Sequence, residues 1–434
     1  MGTTYRQAAS GLIRQRWPQV AAALEPLSPT PAAQRCTDMP QQTLMVDGIH
    51  LSSGYDRASE AQQQAMLVPE AAAVAWVYGV GVGDLPRALL LRKNLKTLHA
   101  VILNRELFLA SLSHFQQTDW LADERVVLHL GAEMVDLQTP FCASPACLKL
   151  AEDAAASLRD CVVLELDTLY LNERFLANET ARQQLEENAS RVAGDADVSA
   201  LFSPQRDGAA LIAAAGPTLA DHYDDIKQFQ RQGGVVVALD AALRPLVLAG
   251  IRPDLVVTVD SLPEVYHLFE VDLSLFENTP LVYFPVVHQR VLAAWPGRRY
   301  VAYSDSPIYR DLSRRVSHSR LFSAGSVIHC AMDLVVKMGF GKVLLAGADF
   351  SYPEGMSHVE NAVYAMPTAR YKAKEWLING MGEKNSTTKN LRGYLRDLER
   401  YLRGCDGVEV FNLSRRGAKI EGTRYLDETG GEDG

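Results

Sequence analysis

Residues 211–222 read LIAAAGPTLADH, a short apolar run that stops at Gly216, Pro217 and Thr218 and passes into a segment of helical character. A strand that turns directly into a helix leaves amide groups pointing forward at the helix start, where the helix dipole favours negative charge. Gly216 lets the backbone approach a ligand closely, Pro217 fixes the turn or the first helical position, and Thr218 offers a cap hydroxyl. The stretch predicts a strand-turn-helix unit facing an anion, with phosphate as the expected one. A plain tight turn without any ligand needs the same residues.

Working outward, ALIAAAG, GVVVALD, DLVVTVD, TPLVYFP, RRYVAYSD and KVLLAGADF are short, nearly continuous apolar runs separated by helical stretches. That is the pattern of parallel strands buried on both faces, so the expected fold class is α/β with a doubly wound parallel sheet. The runs end at Gly216, Asp240, Asp260, Asp305 and Asp349, and a later one, VEVF, at Asn412. In an open parallel sheet the carboxyl ends share one edge, which is where ligands bind. These polar residues are therefore expected to converge on a site, although each alone could simply cap the following helix. SAGSVIHCAMDLVVKMG (323–339) repeats the theme: Gly325 and Ser326 open an amphipathic helix, with His329 expected to pack inside it. In SYPEGMSHVENA (351–362), Tyr352 and His358 flank a turn just past a strand end. There a His can take a proton from a hydroxyl and a Tyr can donate to a phosphate. Residues 351–390 suit a lid, and LRGYLRDLERYLRG (391–404) reads as a helix with a buried Leu/Tyr stripe and a solvated arginine face.

The remainder divides by pattern. Residues 1–200 predict a separate α/β domain, where VAWVYGVGVGDLPRALL (74–90) carries Gly79, Gly81 and Gly83 after a strand, with Asn104 and Glu106 closing a second strand. The spacing is GxGxG rather than GxGxxG, so a degenerate Rossmann-like unit is expected. Residues 201–423 form the main domain, and 424–434 an acidic, flexible tail. The 434 residues, 47% apolar, suffice for ordinary cores, and the net charge of −9 argues against a chain that coats nucleic acid. No apolar run reaches membrane-spanning length and no leader is evident, which predicts a cytoplasmic protein without a membrane span. The six cysteines show no paired spacing, so neither zinc nor disulfides are expected.

Taken together, AAGPTL (214–219), VALDAALRPLVLAGIRPDLVVTVD (237–260), the stretch from Ser323 to His358, and FNLSRRGAKIEGT (411–423) closely resemble the motility accessory factor family. Its members are flagellin glycosyltransferases sharing a domain with archaeal hydroxymethylpterin diphosphokinases, and their central fold is similar to that of bacterial sialyltransferases. The resemblance implies a central Rossmann-like, sialyltransferase-like sheet domain with an N-terminal α/β domain and C-terminal helices. It implies transfer of a nonulosonic acid, of pseudaminic or legionaminic type, from a CMP-activated donor to Ser or Thr of flagellin, with no obligatory cofactor or metal. By the same resemblance Gly216, Pro217 and Thr218 match a nucleotide-site motif, Asp240, Asp260, Gly325 and Ser326 lie near the nucleotide or sugar, and Asp349, Tyr352 and His358 are the catalytic candidates. The loop departs from the sialyltransferase pattern, with His358 in place of a second tyrosine, which leaves the general base open. A Mg-ATP-dependent diphosphokinase using Asp240, Asp260 and Asp349 as ligands, and a non-catalytic flagellin-binding module, are the alternatives.

Overall fold

The computed structural model describes residues 2–134, 136–176, 179–368 and 375–427. They pack as two compact units, Met1–Asp167 and Thr168–Gly434. The division falls ahead of the expected residue 200 because the helix Glu179–Gly194 buries Ala181 and Val192 in the core of the second unit.

The first unit contains an antiparallel sheet of β1 (Gln34–Cys36), β2 (Thr43–Val46) and β3 (Ile49–His50). Beside it stands a parallel sheet of β4 (Val74–Tyr78), β5 (Thr97–Ile102), β6 (Val126–Leu130) and β7 (Phe141–Ala143), ordered β6-β5-β4-β7. The GVGVG segment follows β4, as expected. Asn104 and Glu106 do not close the second strand, since β5 ends at Ile102. The Asn104 carboxamide oxygen accepts the Leu107 N–H at 2.9 Å and caps the helix Arg105–His114, with Glu106 inside its first turn.

The second unit is built on an eight-stranded parallel sheet ordered β17-β14-β9-β10-β11-β12-β13-β8. Its strands are β8 (Ala196–Asp197), β9 (Ala210–Ala213), β10 (Val235–Leu239), β11 (Leu255–Thr258), β12 (Leu281–Tyr283), β13 (Arg299–Val301), β14 (Lys342–Ala346) and β17 (Glu409–Asn412). Every apolar run singled out above supplies one strand. Residues of β9 and β11 are buried throughout, and the helix Val327–Lys337 lays Ile328, Cys330, Leu334 and Val335 on the sheet. Each such side chain contributes about 1.5–3 kcal/mol on burial, enough to carry a few buried polar groups.

Three local expectations change. Residues 375–387, inside the stretch expected to serve as a lid, form a hairpin of β15 (Glu375–Ile378) and β16 (Lys384–Thr387). It is fastened by Thr387, whose hydroxyl donates to the Phe350 carbonyl at 2.7 Å. Part of the expected lid, residues 369–374, lies outside the described residues. The helix Lys389–Arg403 buries Leu395, Leu398 and Leu402 as its period requires, and Arg400 and Arg403 are exposed as expected, but Arg392 and Arg396 do not belong to a solvated face. Arg392 is buried against Glu375 at 2.6 Å, and Arg396 holds Glu399 at 2.6 Å. The start of the expected tail is anchored, since Arg424 donates its N–H to the Val410 carbonyl at 2.9 Å and Tyr425 is buried. Residues 428–434 lie outside the described residues.

Candidate functional site

Ala213 pairs with Ala238 on β10 and with Ala346 on β14, so the loops after these three strands leave the sheet side by side. The chain runs outward from β9 through β10 to β13, then returns to place β14 on the other side of β9. This reversal opens the crevice at which doubly wound sheets bind ligands. The candidate site occupies that edge.

The amides after β9 already face an anion, and the chain supplies it. Asp349, buried beyond β14, accepts the Thr218 N–H at 2.9 Å and the Thr218 hydroxyl at 2.5 Å. Gly216 is required because a Cβ there would overlap both the Gly347 carbonyl oxygen and the Asp349 carboxylate. Pro217 opens the short 3₁₀ turn Pro217–His222. Burial pushes the Asp349 carboxyl up to about 6, opposed by the two Thr218 donors and by Arg416. Arg416 in turn is clasped by Asp221 and Glu354. Of the expected residues, Gly216, Pro217, Thr218 and Asp349 thus form a latch joining the β9 and β14 loops, with the carboxylate in the place assigned to a phosphate.

The open chemistry lies one and two strands further along. Asp240, which follows β10, is buried, accepts the Ala241 N–H at 2.8 Å and the Thr258 hydroxyl at 2.8 Å, and is raised to about 6 by burial. Asp260, following β11, accepts the Leu262 N–H at 3.0 Å and is likewise raised by burial. Burial raises the Tyr364 phenol, and the negative charges of Asp240, Asp260 and Glu264 raise it further. Tyr394, from the helix Lys389–Arg403, feels Asp260. Its ring closes on Gly325, where a Cβ would come within 2.9 Å of Cε1. Gly325 has a positive φ of 86°, and Ser326 begins the helix Val327–Lys337 with a hydroxyl that makes no capping bond. Asp240, Asp260, Gly325 and Ser326 are therefore neighbours through two tyrosines.

His358 belongs to the same group. Its ring lies 6.2 Å from Tyr364, its Nδ1 is 3.1 Å from the Ser357 hydroxyl, and burial lowers its basicity so that it is neutral at pH 7. The Val359 N–H donates to the Ala215 carbonyl at 2.9 Å, pinning this loop over the end of β9. Tyr352 is buried on the other side of the Pro353–Gly355 turn, its N–H donating to the Ser386 carbonyl at 2.9 Å. Phe350, Glu354 and Asn361 all hold positive φ in this one loop, a concentration of backbone strain of the kind found at ligand-binding sites. His329 packs as expected: fully buried, its Nε2 2.9 Å from the Tyr394 carbonyl, and lowered to about 4 by burial.

Sequence reasoning missed Tyr364, Glu264, Thr258 and Arg416. Tyr394 it placed in a buried stripe, although the tyrosine is only half-buried. Thr258 carried a signal, being the polar residue that ends DLVVT. Tyr364 carried none, because nothing in its neighbourhood is periodic. Among the described residues no three His, Cys, Asp or Glu side chains are grouped to hold a metal. Nor is any helix among them long and apolar enough to cross a membrane.

Fold and site define a doubly wound α/β protein whose acidic, tyrosine-rich group follows β10 and β11, beside the topological switch between β9 and β14. Residues 183–355 match the family described as 6-hydroxymethylpterin diphosphokinase MptE-like, so the chain carries an MptE-like domain. A solved structure, the MAf glycosyltransferase from Magnetospirillum magneticum AMB-1, is similar along 99% of this chain and 75% of its own, with 16% identity and a TM-score of 0.45. No curated protein matches the chain.

Proposed function

We propose that the second unit is a glycosyltransferase that moves a nonulosonic acid, of pseudaminic or legionaminic type, from its CMP donor to Ser or Thr hydroxyls of flagellin. The observation that carries this reading is the grouping of Asp240, Asp260, Tyr364, Tyr394 and His358 at the carboxyl edge, next to the free start of the helix at Ser326. The motif resemblance of residues 211–360 agrees with it.

The division of labour follows from the chemistry. The first amides of the helix Val327–Lys337 and the Ser326 hydroxyl hold the donor phosphate, since the Thr218 groups are occupied by Asp349. As the bond from the sugar to the CMP oxygen breaks, positive charge grows on the anomeric centre, and Asp240 and Asp260 stabilise it. Tyr364 and Tyr394 donate hydrogen bonds to the departing phosphate. The acceptor hydroxyl attacks that carbon and gives its proton to His358, whose neutral imidazole is the form able to take it. Asp349 leaves the catalytic group and holds the loops. No cofactor enters this sequence, and the acceptor protein is the partner.

The match to the diphosphokinase family favours a second reading, pyrophosphoryl transfer from Mg-ATP to a hydroxymethylpterin. Against it, both oxygens of Asp349 and both of Asp240 already accept hydrogen bonds from the protein, leaving Asp260 as the carboxylate most open to a metal. Incubating the full chain with CMP-nonulosonic acid and flagellin, and separately with Mg-ATP and hydroxymethylpterin, decides between them by mass spectrometry. The proposal requires a sugar mass added to flagellin Ser or Thr. Diphosphorylated pterin in its place establishes the second reading, and no product in either arm defeats both.

A further inference from the structure

A cavity of about 640 Å³ lies within the first unit, lined by Arg35, Arg57, Arg87, Asp84, Phe115 and Leu91 over a floor of alanines. A smaller recess shares Arg57, Ala61 and Asp84 with it and continues to Gly81 and Ser144. The location has topological meaning. From β4 the chain runs to β5 and β6 on one side, while β7 lies on the other, so the loops after β4 and β7 flank a switch point of their own. Gly81 follows β4 and Ser144 follows β7.

The glycines do not make this a phosphate loop. A Cβ on Gly79 would overlap Cys147, and one on Gly83 would crowd Gln117, Arg87 and Trp120, so both serve packing. At Gly81 the nearest atoms are the Leu51 carbonyl oxygen at 3.4 Å and the Ser144 hydroxyl at 4.0 Å, which leaves the recess room. The chemistry comes from arginine. Arg57 grips Asp84 with Nε and Nη2, both at 2.7 Å, and gives Nη1 to the Gln42 carbonyl at 2.9 Å. Arg87 is equally committed, to Asp119 at 2.6 and 2.8 Å and to the Gln116 carbonyl at 2.6 Å. Arg35 differs: it is exposed and donates from Nη2 to the Gln42 carboxamide, and the rest of its fork borders the cavity. Arg35 and Arg57 stand 5.4 and 5.1 Å from the centre of the same Phe115 ring. Asp84 and Asp119 thus balance Arg57 and Arg87, which leaves Arg35 as the guanidinium at the cavity whose hydrogen-bond partner, the Gln42 carboxamide, carries no charge, beside an aromatic and aliphatic lining. The neighbouring His114 adds no further charge at neutral pH, because burial and Arg35 hold it neutral.

We propose that this cavity binds a small organic anion, a carboxylate or phosphate monoester on a flat apolar body, with Arg35 gripping the anion beside Arg57 and with Phe115 and the alanine floor covering the body. A cavity of this size suits a ligand of drug-like dimensions, and guanidinium forks suit either anionic group. The site is independent of the transferase reading of the second unit, so each can fail alone.

Isothermal titration of the full chain with phenyl phosphate, benzoate and uncharged benzyl alcohol tests the assignment, at low and at high salt. Heat of binding is expected from at least one anion and not from the alcohol, weakening as salt rises; the stronger anion identifies the group preferred. Arg35→Gln is expected to weaken that binding by about tenfold or more without changing the melting temperature, since Arg35 is exposed, and Arg35→Lys to recover part of it. No heat from either anion, alcohol binding as well as the anions, or unchanged affinity in Arg35→Gln would overturn the proposal.

Discussion

Asp240→Asn separates the burial of a carboxyl group from its hydrogen bonding. In the folded chain Asp240 is buried and raised to about 6, against about 3.9 for an unfolded aspartate, a difference worth roughly 3 kcal/mol. Burial favours the protonated form in the folded state, so this contribution is fully present below about pH 4 and is lost as pH climbs through about 6. Asn cannot ionise. It can aim its carbonyl oxygen at the Ala241 N–H and donate its amide to the Thr258 hydroxyl oxygen, so both hydrogen bonds persist at every pH. Urea unfolding of both proteins at pH 4 and pH 7.5 is therefore expected to show the two close in stability at pH 4. At pH 7.5 the variant should exceed the parent, the gap moving in its favour by about 3 kcal/mol. Parallel stability curves across that range would refute the claim that Asp240 sits in a site hostile to its charge.

Thr218→Val keeps the shape of the side chain but removes a hydroxyl that donates to the buried Asp349 carboxylate at 2.5 Å. It is expected to lower stability by about 1.5–3 kcal/mol in a denaturant titration, whereas Thr218→Ser, which keeps the hydroxyl, is expected to avoid most of that loss. Arg392→Ala leaves Glu375 without the guanidinium that faces it at 2.6 Å and opens a buried space beside the helix Lys389–Arg403. A loss of about 3 kcal/mol follows, again read from the unfolding midpoint. Tyr364→Phe removes a donor in the crevice without emptying it, so turnover with CMP-sugar should fall by about 10²-fold or more while the melting temperature holds. His358→Ala should likewise abolish transfer with donor affinity nearly intact, as judged by titration with CMP.

The sheet was legible because its strands are buried on both faces, and such strands must be written as continuous apolar runs: LIA, VVVAL, LVVT and VLLA each appear without interruption. Their order follows from short right-handed connections and needs few long-range facts. The crevice was legible in part, for the same reason: residues such as Asp240 and Asp260 mark where strands stop. What sequence could not show is which polar groups satisfy one another. Thr218 and Asp349 are separated by 131 positions, and only folding reveals that the second fills the anion site the first creates. Helical period separates Leu395 and Leu398 from the arginines of the same helix, but it cannot know that Glu375 arrives from a hairpin to bury Arg392. Tyr364, on a loop without period or motif, enters the site through the fastening of Val359 to Ala215.

Hydrogen exchange on the full chain, with and without a CMP-nonulosonic acid, tests the central claim most directly, because it reports where the donor lies rather than whether turnover occurs. Protection is expected in the loops at 239–242 and 258–264, at the helix start 324–328 and in the segment 357–366, with the already latched turn at 216–218 changing least. Protection confined to residues 35–62 and 84–91 of the first unit, or absent altogether, would contradict the assignment of the donor to the edge of the eight-stranded sheet.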